Sequence, residues 1–246
     1  MLLRRITEHV KAQNWTAVAL DFIIVVVGVF IGIQVANWND ARRERASEAT
    51  YLKSLQTDIA VSTRLLNEHV AHIGDRQQAL AILANAGKDA IARRAFDDLV
   101  RVGLYELQFL NVQRNTYQAL ENAGRIGVLQ DLTLQQSLVD QSVQIAAIRE
   151  YEADMARFQH RWVDEFLLTD YHIANMVDFE AAGAKPRRDD ATDYPALMDE
   201  KRIRNLSAFL YDILDEQRAH AETLREAYAA SAVQTRSRLE TLGENE

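Results

Sequence analysis

Residues 16–38 read TAVALDFIIVVVGVFIGIQVANW, and this stretch decides how the chain is built. From Phe22 to Ala36 only Gln34 interrupts the apolar run, and no charge occurs. Trp15 and Trp38 bracket it. In an α-helix the two indoles stand roughly 34 Å apart. That matches the ~30 Å hydrocarbon layer of a bilayer, with amphipathic rings at headgroup level. The stretch is therefore read as a single transmembrane helix, with Trp15 and Trp38 as interface anchors. A buried core helix rarely runs this far without a polar face. A cleaved signal peptide needs small residues at the −3 and −1 places, and Gln34 stands at −3 for cleavage after Ala36.

Within the span, Gly28-Val29-Phe30-Ile31-Gly32 places two glycines four apart on one face. Such a face lets a second helix approach closely. Gly28 and Gly32 are the expected membrane-association residues, which points to a homo-oligomer. Asp21 lies near the edge of the span, where its carboxylate reaches water, and is read as interfacial.

Residues 1–15 set Leu2, Leu3, Ile6 and Val10 on one helical face, with Arg4, Arg5, Glu8 and Lys11 elsewhere. This reads as a basic amphipathic segment in the interface or as a plain basic flank. Arg4, Arg5 and Lys11 precede the span; Arg42, Arg43, Arg45 and Lys53 follow it. The count alone leaves the orientation undecided. A short basic tail before a first span stays in the cytoplasm, which places the C-terminal domain outside the inner membrane.

Beyond the span, the chain contains only two prolines and nine glycines in all. So few breakers predict an all-α fold. The expected architecture is an N-terminal transmembrane helix continuing into an antiparallel bundle of long helices over 39–242. A long loop is expected at about 171–195 and a frayed tail at 243–246. Leu52, Ile59, Leu66 and Ile73 recur every seven residues, with Leu55 at the offset position and Ser62 and His69 as polar breaks in the seam. Gly74-Asp75 reads as the stop of this helix. Residues 104–122 read as a helix closing at Ala123-Gly124, with Gly127 at a second bend and Tyr117 and Leu120 facing the core. Asp131 caps the next helix, Leu132 to about Thr169, whose inward stripe includes Leu138, Ile145, Met155, Trp162 and Phe166. A last helix runs from Ala196 to about Leu242.

The net charge is −8, while the first 45 residues lean positive. An acidic domain is a poor partner for nucleic acid. There is no cysteine, which excludes disulfides, thiolate metal sites and cysteine nucleophiles. No P-loop, G-x-S-x-G or G-x-G-x-x-G occurs. His69 and His72, with Glu68 and Asp75, are the nearest approach to a metal-ligand spacing, and the plainer reading is solvated polar residues. Lys185, Arg187 and Arg188 form a basic patch that Asp189 and Asp190 neutralise. No catalytic, cofactor-binding or metal residue is assigned, and no enzyme activity is expected.

Two motifs resemble a known family. The first is Val25 to Asp40, closing in Gln34-Val35-Ala36-Asn37-Trp38-Asn39-Asp40. The second is Thr116-Tyr117-Gln118-Ala119-Leu120 followed by Gly124, Ile126, Gly127 and Leu129. They resemble a bacterial family of single-span membrane proteins with no assigned activity, which share an anchor ending Gln-x-x-Asn-Trp-Asn-Glu and a Thr-Tyr-x-x-Leu-x-x-x-Gly helix end. Asp40 stands where the family has Glu, and Ala123 where Ser is usual. The resemblance implies a bacterial inner-membrane location. The expected function is self-association in membrane lipid and interaction with a protein partner. A sensor-like bundle that binds a small ligand is the alternative.

Overall fold

A computed structural model describes residues 15–87, 91–176 and 193–243. The segment before Trp15, the Trp15 side chain, most of the long loop with its Lys185, Arg187 and Arg188 patch, and the last three residues lie outside the described part. Of the described residues, 87% are helical and none is in a strand. The chain divides into two compact units, Met1–Thr50 and Tyr51–Glu246.

One helix, α1 (Trp15–Asn85), contributes to both units. In the first unit its apolar side chains are open: Phe22, Ile24, Val25 and Phe30 are all 60% exposed or more. The run of Val and Ile would disfavour a helix in water. An α-helix nevertheless satisfies every backbone group from within the segment.

The second unit is an all-α bundle of four legs. The first is α1 from Tyr51 onward. The second holds α2 (Arg93–Val100), a wide π-type turn (Arg101–Tyr105), a non-helical stretch 106–114 and α3 (Asn115–Asn122). The third is α4 (Leu132–Phe158), a second wide turn (Gln159–Val163) and α5 (Asp164–Thr169). The fourth is α6 (Tyr194–Met198) and α7 (Lys201–Gly243). Cross-leg hydrogen bonds fix the directions. On α1 and α7, Gln77 reaches Asp215 while Arg204 reaches the Ala84 carbonyl. On α4 and α7, Gln141 donates to Ser231 and Tyr151 to the Ile213 carbonyl. Along the second leg, Gly103 meets Arg76 and Thr116 meets Asp58. Consecutive legs therefore run antiparallel.

The heptad seam is buried along its length: Leu52, Ile59, Leu66 and Ile73 are each 2% exposed or less. So are its polar members Ser62 and His69. The helix does not stop at Gly74. A helical glycine costs about 1 kcal/mol relative to alanine, and burial of Ile73, Leu80 and Leu83 on either side outweighs it.

Three further expectations are corrected. Residues 104–122 are not one helix. Glu106 leaves the helical region at ψ 122°, and helix resumes only at Asn115. Leu110 and Val112 are buried while Phe109, Asn111 and Gln113 are exposed, which is a strand-like alternation. Trp162 is not inward. The wide turn at Gln159–Val163 shifts the helical phase, so Val163 is fully buried and Trp162 is 44% exposed. The last helix begins at Lys201, after the separate short helix α6, which Asp193 caps through the Ala196 amide.

The turn after α3 follows the expected cap. Gly124 has φ +62°, the Arg125 amide donates to the Leu120 carbonyl and the Gly124 amide to Glu121. This is a Schellman motif. Gly127 lies in a short 3-10 turn, a second bend as expected, and adopts it without a positive φ. Asp131 caps α4 through the Thr133 and Leu134 amides. Gly124→Ala forces a Cβ into the left-handed region and is expected to cost about 1 kcal/mol. Gly127→Ala is expected to cost less than half of that. Paired urea melts check this; equal losses would contradict the assignment.

Candidate functional site

Three features of the described residues are open to a functional role. The first is the apolar face of α1 in the first unit. Every residue from Val18 to Trp38 is exposed, and none of its most apolar window is buried at a mean hydropathy of 2.6. This helix is long and apolar enough to cross a membrane. A Cβ added at Gly28 or Gly32 meets nothing within 4 Å. Both glycines therefore lie on an open surface.

The second is a buried polar centre in the second unit, and the non-helical stretch explains it. Backbone groups that leave a helix need other partners, and side chains of α1 and of the third leg supply them. Glu152 Oε1 accepts the Leu110 amide at 2.8 Å, and Asp58 Oδ2 accepts the Thr116 amide at 2.7 Å. Ser62 accepts from the Gln113 amide and donates to its carbonyl. Arg76 donates to the Gly103 carbonyl and Gln159 to the Tyr105 carbonyl. These five side chains form a ladder that straps 103–116 onto the bundle. Each is 8% exposed or less.

At the middle of the ladder Glu152 Oε1 also accepts from Gln217 at 3.2 Å. His69 Nε2 stands 3.6 Å away, beyond hydrogen-bond reach. Burial lowers the His69 pKa to about 4, helped by neighbouring His72 and Arg76. Burial also raises the Glu152 carboxyl above its ordinary value, against its bonds from Leu110 and Gln217. Both shifts favour the neutral form. Arg76 is lowered by burial to about 10 and stays charged at neutral pH. With His69 and Glu152 each under 5% exposed, no substrate reaches them as they stand. The small cavity beside Asp58, Gln141 and Tyr228 measures about 10 Å³, roughly the room for one water.

The third is an open groove of about 490 Å³ between α1 and α2, floored by Ala79, Ile82, Ile91 and Leu99.

The residues with metal-like spacing are not brought together. Glu68 pairs with Arg64 at 2.7 Å, Asp75 faces the groove and His69 points inward. Among the described residues no three His, Asp or Glu side chains are grouped to hold a metal. Sequence reasoning singled out His69 and Ser62 as polar breaks in an apolar seam. It missed Asp58, Glu152, Gln159 and Gln217, which look like ordinary surface residues of charged helices.

No family model, curated protein or solved structure matches this chain.

Proposed function

We propose that the protein is a membrane-anchored helical bundle that acts by self-association and by contact with a protein partner, not by catalysis. One observation carries this reading: the apolar part of α1 is wholly exposed in the first unit. Soluble proteins rarely leave a contiguous apolar surface of that size open. A bilayer covers it, and a helix rich in Val and Ile is the form such a segment takes in lipid. Trp38 marks one headgroup level. The open face at Gly28 and Gly32 suits close approach of a second copy.

The motif resemblance points the same way. On it rests the proposal of a bacterial inner-membrane location; the proposal of an outward, periplasmic bundle rests on the basic residues Arg4, Arg5 and Lys11 before the span. The sensor-like reading has less support, because the buried Asp58, Ser62 and Glu152 side chains are taken up by the backbone at Leu110, Gln113 and Thr116 and the cavity beside Asp58 holds about one water.

Gly28→Leu/Gly32→Leu fills the open face without changing the length or polarity of the span. The variant is expected to lower the oligomer mass in mild detergent, read by light scattering. An unchanged mass would count against self-association through this face.

A further inference from the structure

Resting on the membrane-anchor reading, we propose that Arg42 and Arg45, on the face of α1 that carries Trp38, bind the phosphodiester headgroup of an anionic phospholipid. The three residues stand at i, i+4 and i+7 of one unbroken helix. At about 100° per residue, Arg42 and Arg45 lie within about 40° of Trp38 around the helix axis. The acids of the same turns lie elsewhere: Asp40 and Glu44 are about 120° or more from Trp38. Arg43 is on that far side too and stands 3.7 Å from Asp40. Over these two turns, one side of the helix therefore carries two guanidiniums and no acid.

Height and direction fit a lipid headgroup. Arg42 and Arg45 lie about 6 and 10 Å past Trp38 along the axis, over the headgroup layer that an interfacial indole marks. Helical side chains lean toward the helix N-terminus, which directs both arginines back toward Trp38 and the apolar run. That run leads straight to them, since every residue from Val18 to Asp40 is exposed. Both arginines are exposed, and among the described residues neither is in an ion pair. Arg45 Nε donates to the Ala41 carbonyl at 3.2 Å, which leaves its two terminal nitrogens for another acceptor. A guanidinium presents paired N–H donors that match two phosphate oxygens. A zwitterionic lipid brings its own cation beside these two and gains less. A soluble phosphate lacks the acyl chains that hold the headgroup at this height.

The test reconstitutes the full chain into vesicles of equal parts phosphatidylglycerol and phosphatidylcholine with matched acyl chains. The vesicles are floated on a density gradient and extracted in mild detergent, and the lipids retained per chain are read by native mass spectrometry. Wild type is expected to retain phosphatidylglycerol over phosphatidylcholine by on the order of tenfold, from about fivefold for each arginine near the surface. Arg42→Gln/Arg45→Gln is expected to bring that preference within about twofold of none. Arg149→Gln/Arg236→Gln removes the same charge from exposed positions of the second unit and is expected to keep the wild-type preference. All three chains are expected to float, because the span is untouched. A chain that does not float overturns the anchor reading and this one with it. A floating wild type without preference, an unchanged preference in Arg42→Gln/Arg45→Gln, or an equal loss in Arg149→Gln/Arg236→Gln overturns the lipid site and leaves the anchor standing.

Discussion

Asp97→Ala is expected to destabilise the bundle by about 3 kcal/mol, one of the two largest effects anticipated for a single change. Asp97 lies on α2 and gathers both ends of the long loop. Its Oδ1 accepts from the Tyr171 hydroxyl at 2.5 Å and from the Tyr194 hydroxyl at 2.9 Å. Asn175 donates to the Tyr194 hydroxyl at 3.0 Å, and Arg93 lies over the Tyr194 ring. Phe96 packs edge-on to Tyr194. Both tyrosines are about 5% exposed or less. Burial and the carboxylate together push the Tyr171 phenol far up and Tyr194 up to about 12. Removing Asp97 leaves two buried donors without their acceptor, at about 1–3 kcal/mol each. Part of this is recovered by water, since Asp97 itself is half-buried.

A cycle separates this from simple loss of packing. Tyr171→Phe/Tyr194→Phe removes the donors. In that background Asp97→Ala is expected to cost under 1 kcal/mol, because no donor is left stranded. Denaturant melts of the four proteins read the coupling. Additive losses would contradict the clasp.

Acidification gives the second large effect. His69 has a folded pKa of about 4 against an ordinary 6.5. The unfolded chain therefore takes a proton at this residue first. The stability it contributes is complete above pH 6.5 and is lost as pH falls toward 4. The loss is about 3 kcal/mol over that window, at 1.36 kcal/mol per unit. His72, also lowered by burial, acts in the same direction. Glu152 acts in the opposite one. Its folded pKa is raised, so the folded state binds its proton first and gains relative stability on acidification. The expected signature is a difference: wild type loses about 3 kcal/mol more than His69→Gln between pH 7 and pH 4. Parallel curves for the two proteins would show that His69 is protonated in place.

Much of the fold was legible because it rests on short-range periodicity. Leu52, Ile59, Leu66 and Ile73 announce a buried seam by their spacing, and the structure buries all four. Gly124 and Asp131 announce a helix end and a helix start, and both make the expected backbone bonds. The strap at 106–114 was not legible. Leu104, Leu107 and Leu110 fit helical spacing as well as any helix in the chain, and the alternation at Leu110 and Val112 is only two residues long. What holds the strap extended is distant in sequence: Ser62 lies 51 residues from Gln113 and Glu152 lies 42 from Leu110. The wide turn that turns Trp162 outward has no composition signal. Asp97 could not be placed either, since Tyr171 and Tyr194 lie 74 and 97 residues away.

The two glycines, the indole of Trp38 and the strapped bundle all take their meaning from where the first unit resides. Alkaline carbonate extraction of membranes from cells expressing the full chain tests this directly. The protein is expected to remain in the pellet and to move to the supernatant only with detergent. Recovery of the folded, full-length chain in the carbonate supernatant would contradict the account at its base.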